Sequence, residues 1–238
     1  MTLLIGMISQ KGGVGKSTLA RLVAREYAQA GWQVKIADLD ISQGTSTDWK
    51  QRREQSKTDP EIAVEPFRTV AQAMKVISLY DLVVFDGAPH SMSGTLEIAR
   101  SSHLLVLPTG LALDDLKPSV LLAHELVSNN IHPEKIVFAL CRVGDKENEI
   151  SDSREYIRRA GYTVLSGSIP EKTGYRRASD DGKALSEVSF PTLRNRAEEL
   201  AQSIIDESSR KLRSEKTEAT FKSEVQHLLN FVETPQVA

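Results

Sequence analysis

The chain has 238 residues, 40% of them hydrophobic, and its 30 Lys+Arg against 32 Asp+Glu leave a formal net charge of -2. That is enough for the core of one α/β domain, and total charge gives no support to nucleic-acid binding, so any such surface is a local patch. No apolar run reaches the roughly 18–20 residues a bilayer requires and the N-terminus is strand-like instead of a signal peptide, which predicts a cytoplasmic protein.

In chain order, β-branched apolar segments alternate with helix-period segments, the pattern of a mostly parallel central sheet with helices on both faces. LLIGMIS (3–9) reads as the first strand, followed by a glycine-rich loop and a helix over 16–30 that stops at Gly31. QVKIADL (33–39) is the second strand, and it ends in two carboxylates, Asp38 and Asp40. A helix over 45–57 contains the basic run WKQRREQSK, read as exposed helix surface. Strands follow at 62–65, 81–86, 103–108, 135–141 and 163–169, with helices at 69–79, 93–101, 114–129 and 150–160 between them. The only cysteine, Cys141, sits in KIVFALC and reads as a small buried hydrophobe. Residues 192–216 form a long polar helix, and Phe221, Val225, Leu228, Leu229 and Val232 make an apolar stripe at helical spacing over 218–232.

The loop SQKGGVGKST (9–18) fits the second half of the phosphate-loop pattern G-x-x-x-x-G-K-[ST], but Gln10 replaces the first glycine and Lys11 follows it. Strand, loop and helix are in the right order for a phosphate site. Gly12, Gly13 and Gly15 let backbone N–H groups approach an anion, Lys16 neutralises phosphate, and the Ser17 hydroxyl is placed for Mg²⁺. A ligand-free glycine turn explains neither the Lys-Ser-Thr ending nor the second lysine.

The string K-G-G-V-G-K-S-T resembles the deviant Walker A motif of the ParA/MinD family of P-loop ATPases, in which Lys11 matches the signature lysine. The resemblance implies that residues Gly12–Thr18, Val14 and Thr18 included, bind ATP or ADP together with Pro170. It also implies that two subunits close face to face on ATP, each Lys11 reaching the partner's nucleotide as a further cation for γ-phosphate transfer. IADLDISQGTSTDW is similar to the family's switch I. There Asp40 matches the residue that orients the attacking water and Asp38 stands near the Mg²⁺ shell, while Ile41 and Ser42 in place of a single proline leave the role of Gln43 open. LVVFDGAPH (82–90) looks like Walker B with switch II, delivering Asp86 to Mg²⁺ at a strand end, although Gly87-Ala88-Pro89 lacks the family's first proline.

By this resemblance residues 1–205 form a P-loop ATPase domain and 206–238 a C-terminal helical extension of it. One cysteine argues against the cluster- and metal-binding branches. Glu218, Glu224 and Glu233 against Lys222 argue against the lipid-binding tail of the MinD branch. What the resemblance favours is a small ParA-type ATPase that binds DNA non-specifically as an ATP dimer, through Lys172, Arg176, Arg177, Arg194, Arg196, Lys211 and Arg213. Such a protein is nucleoid-associated when ATP-bound, and a centromere-binding or cargo-adaptor protein stimulates its hydrolysis. A MinD-like membrane-positioning ATPase and a P-loop small-molecule kinase or synthetase stand as alternatives.

Overall fold

The computed structural model describes residues 2–232, with the side chains at 215, 216 and 218–232 set aside. Strands β1 (Leu3–Met7), β2 (Val34–Asp38), β3 (Ala63–Pro66), β4 (Leu82–Asp86), β5 (Leu104–Thr109), β6 (Ile136–Val143), β7 (Thr163–Val164) and β8 (Ile169–Pro170) form one sheet. Its order is β3-β2-β4-β1-β5-β6-β7, with β8 beside β6, and every pairing is parallel. All strands therefore present their C-terminal ends to one edge, where open α/β sheets collect ligands.

Residues of β1 alternate between two cores. Leu3, Ile5 and Met7 join α1 (Lys16–Gln29), α2 (Thr45–Gln55), α7 (Thr173–Asp180) and the long α8 (Pro191–Val232) on one face. Leu4 joins α3 (Val70–Ala73), α4 (Met92–Ser101), α5 (Leu113–Ser128) and α6 (Glu147–Arg159) on the other. A strand buried on both faces has no polar positions to spare, which is why β1, β4 and β5 read as unbroken apolar runs.

Four expectations change. The helix expected over 69–79 is only Val70–Ala73 plus a 3₁₀ turn at Ile77–Leu79. Beyond Ala73 the chain tightens to i→i−3 bonds, although Met74, Val76, Ile77 and Tyr80 still pack on the core. The strand expected over 163–169 is broken into β7 and β8 around Gly167, whose φ of 74 is not extended; only glycine fits there, since a side chain would meet the Leu200 backbone of α8 at 2.9 Å. The two C-terminal helices are one, α8. The run WKQRREQSK is not simply exposed, since Trp49 is 0% and Arg53 3% accessible. The side chains of the apolar stripe from Phe221 to Val232 lie outside the described residues.

Candidate functional site

At the C-terminal edge of the sheet, α1 begins at Lys16 directly after the glycine loop. Its N-cap is Gly15 (φ 115), and neither a capping side chain nor an acidic first-turn residue satisfies the helix's leading N–H groups. Those groups and the helix dipole are thus left to an anion. Side chains at Gly12 or Gly13 would meet nothing within 4 Å, whereas one at Gly15 would touch the Cys141 Sγ at 3.4 Å, so the loop is open toward the cleft and closed behind.

The cleft encloses about 460 Å³ and is lined by Gly12, Gly13, Gly15, Lys16, Ser17, Thr18, Asp40, Gln43, Pro89 and Pro170 among others. Val14 is not among the lining residues and is buried, 5% accessible. Lys16 is nearly buried and donates from Nζ to the Lys11 carbonyl at 3.0 Å. Burial holds its pKa below the usual lysine range, against the pull of Asp86 and Asp40. Lys11 does not line the cleft; its Nζ meets Asp115 Oδ1 in the first turn of α5 at 2.7 Å.

The three carboxylates occupy different stations. Asp86 is buried at the end of β4 and its pKa is pushed up to about 6, chiefly by burial, with the Ser46 and Ser17 hydroxyls holding it down in part. Ser46 Oγ donates to Oδ2 at 2.7 Å, while Oδ1 is buried with no hydrogen-bond partner. An orphaned carboxylate oxygen behind the phosphate loop fits a cation beside Ser17. Asp38 is committed to the segment that follows β2: Oδ1 accepts the Asp40 N–H at 3.1 Å, and Oδ2 accepts the Thr47 N–H and hydroxyl at 3.1 and 3.0 Å. Asp40 lines the cleft and accepts from the Ser42 hydroxyl at 2.7 Å and the Gln43 N–H at 3.3 Å. No group of three or more His, Cys, Asp or Glu among the described residues is arranged to hold a metal ion. The missing switch II proline has a steric companion, since a side chain at Gly87 would meet the Met7 carbonyl oxygen at 2.8 Å.

Two arginines went unnoticed in the sequence. Arg21 on α1 is 4% accessible and donates to the Thr45 carbonyl at 2.6 Å and to Ser179 of α7 at 3.2 Å, over the Trp49 ring. Its signal was a charge inside the apolar stretch TLARLVA. Arg142, at the end of β6 with φ 56, donates to the Gly13 carbonyl at 3.4 Å and pairs with Glu171 at 3.1 Å. A charge closing an apolar strand of a parallel sheet was the signal there.

The seven residues expected at DNA do not form one group. Lys172 and Arg176 line the cleft, Lys172 bound to Asp145 at 2.9 Å and Arg176 near Glu171 at 3.8 Å. Arg177 is exposed on α7, Arg194 donates to the Val188 carbonyl at 3.2 Å, and Arg196 approaches Glu147 at 4.0 Å. Lys211 pairs at 3.8 Å with Glu134, which precedes β6, so it stands at the opposite end of the sheet from the cleft; Arg213 is exposed. No helix among the described residues is long and apolar enough to cross a membrane.

Residues 5–185 match the model of the CobQ/CobB/MinD/ParA nucleotide binding domain. The fold is similar to MinD of Pyrococcus horikoshii OT3 solved with Mg-ADP, at TM-score 0.69 and 15% identity, covering 89% of this chain and 99% of that one. It is also similar to a protein described as a plasmid partition protein of Borrelia burgdorferi B31 bound to AMPPNP, at TM-score 0.66 and 15% identity over 87% and 99%. A 38-residue stretch is 50% identical to an iron-sulfur cluster carrier protein of Clostridium perfringens, covering 16% of this chain and 13% of that protein.

Proposed function

This chain belongs to the CobQ/CobB/MinD/ParA nucleotide-binding domain family, and from that premise we propose that it is a small ParA-type ATPase. ATP closes two subunits into a sandwich, the dimer holds DNA without sequence preference, and a partner protein stimulates hydrolysis and release. The observation that carries the reading is the division of labour between the lysines. Lys16 lies inside its own cleft, whereas Lys11, from the same loop, is turned out of it toward Asp115. A cation excluded from its own site is available to a site on a second subunit.

Within the cleft, Gly12–Thr18 cradle the phosphates with backbone N–H groups, Lys16 compensates their charge, and Pro170 bounds the nucleotide pocket. Ser17 and the free Oδ1 of Asp86 would hold Mg²⁺, directly or through water, and the ion would supply neutralisation of phosphate charge; Asp38 keeps switch I in place nearby. Asp40 orients the attacking water and takes its proton as the bond to the leaving ADP breaks. Asp40→Ala is therefore expected to lower turnover by roughly 10²-fold or more while ATP-dependent dimers persist. Single-turnover hydrolysis beside sedimentation checks this, and wild-type turnover would move the water to another residue.

The DNA surface is proposed for Lys172, Arg176, Arg177, Arg194 and Arg196, doubled by dimerisation, while Lys211 at the far end of the sheet and Arg213 beside it on α8 fall outside it. The test is binding to a random-sequence duplex with ATP, ADP and no nucleotide over a salt series. ATP-dependent binding that weakens steeply with salt and is lost in Lys11→Ala is the expected result; equal binding in all nucleotide states, or none, removes DNA from the reading. Cluster carriage gains no support from the donor set, because the one thiol, Cys141, is buried and its pKa is pushed up to about 12.

A further inference from the structure

Three contacts converge on Lys11. Its N–H donates to the Ser9 hydroxyl at 3.1 Å, its carbonyl accepts from Lys16 Nζ at 3.0 Å, and its own ammonium meets Asp115 at 2.7 Å. Asp115 is fitted to this task from behind. Its carboxylate packs so closely over Gly110 that a Cβ there would collide with Oδ2, and the first turn of α5 leaves it facing the loop. We propose that Asp115 is a positioning residue for Lys11: it parks the ammonium within one subunit, and nucleotide loosens the park by drawing Lys16 away from the Lys11 carbonyl. This rests on the reading of Lys11 as the cation supplied across the dimer.

The physical coupling is competition. Phosphate oxygens are stronger acceptors for a lysine ammonium than a neutral carbonyl, so nucleotide entry weakens one of the tethers on Lys11. The remaining ion pair is partly open to water, with side chains 40% and 30% accessible, and pairs so exposed are weak. That weakness is what the role requires, because a latch deep in the core would hold Lys11 against the partner's nucleotide as well.

The experiment is sedimentation velocity of the full chain against a titration of non-hydrolysable ATP analogue with Mg²⁺. The variants are Asp115→Asn, Gly110→Ala, Lys11→Ala and Lys11→Ala with Asp115→Asn. Releasing an exposed pair is expected to favour closure by about 1.5- to 5-fold per subunit; two latches open and two analogues bind per dimer, so half-dimerisation shifts about 1.5- to 5-fold to lower analogue concentration. Gly110→Ala displaces the carboxylate without changing charge and is expected to shift the same way, and Asp115→Asn is expected to do nothing once Lys11 is alanine. An unchanged or raised requirement in Asp115→Asn, or the same shift in the Lys11→Ala background, overturns the latch and leaves the cross-subunit lysine standing. If Lys11→Ala dimerises like the wild type, the cross-subunit reading fails first and the latch with it.

Discussion

Lys16→Ala is expected to lose nucleotide binding by roughly 30-fold or more while keeping its fold. Truncating one member of a desolvated, hydrogen-bonded charge pair costs about 2–5 kcal/mol of binding, and the Lys16 ammonium stands in the cleft with the leading N–H groups of α1. The fold itself has little to lose. Burial already disfavours the charged amine, and its hydrogen bond in the subunit is to the Lys11 carbonyl alone. Thermal unfolding with and without Mg-ATP separates the two effects, since a ligand that binds only the native state raises Tm according to its affinity. The expected result is a wild-type or higher Tm without nucleotide and a much smaller shift on adding it than the wild type shows. A full shift in the variant would take Lys16 out of the phosphate site.

The second large effect is on stability, and it falls on a residue outside the cleft. Arg53 of α2 is 3% accessible and donates to both oxygens of Glu187, at 2.7 and 3.0 Å. It also donates to the carbonyls of Pro60 and Gly182 and lies 5.2 Å over the Trp49 ring. Breaking a buried pair by deleting one partner costs about 3–5 kcal/mol, because the other charge stays buried. For a domain of this size each kcal/mol is about 2–4 °C in Tm, so Arg53→Ala is expected to lower Tm by on the order of 10 °C. Lys50→Ala is the control. Its pair with Glu54 lies on the same helix with side chains 31% and 54% accessible, and its loss is expected within about 0.5 kcal/mol. Equal effects of the two substitutions would deny Arg53 its structural weight. Arg53→Lys is also expected to destabilise, since an ammonium does not reproduce the two-point contact with Glu187.

Arg53 also gives the switch I segment a route to the second half of the chain. Helix α2 starts immediately after the Asp40–Gly44 turn, and it is tied to the stretch after α7 through Arg53 and through the Trp49 Nε1–H donating to the Lys183 carbonyl at 3.1 Å. Arg21 adds a third tie, from α1 to Thr45 and Ser179. These ties join the Asp40–Gly44 turn and α2 to α7, where Arg176 and Arg177 stand.

By itself the sequence determined the layered α/β architecture, because strands buried on both faces must be apolar throughout and helices packed on them must keep one apolar face. It also determined the order of strand, glycine loop and helix over 3–29, since glycines followed by a Lys-Ser pair between strand and helix satisfy a local geometric demand that no distant residue alters. The strand-end positions of Asp38 and Asp86 followed from the same local logic. Only the tertiary structure decided what met what across the chain. The Lys11–Asp115 pair joins residues 104 positions apart, and Arg53–Glu187 joins residues 134 apart. Composition and periodicity carry no information on such distances. The helix over 173–180 was missed for a related reason: Tyr175 and Ala178 are its only buried residues, so its apolar face is too short to show as a period and is defined by the helices it packs against. The run around Trp49 misled in the opposite direction, because a charge-rich helix looks exposed until the chain folds a carboxylate and two carbonyls over its one buried arginine.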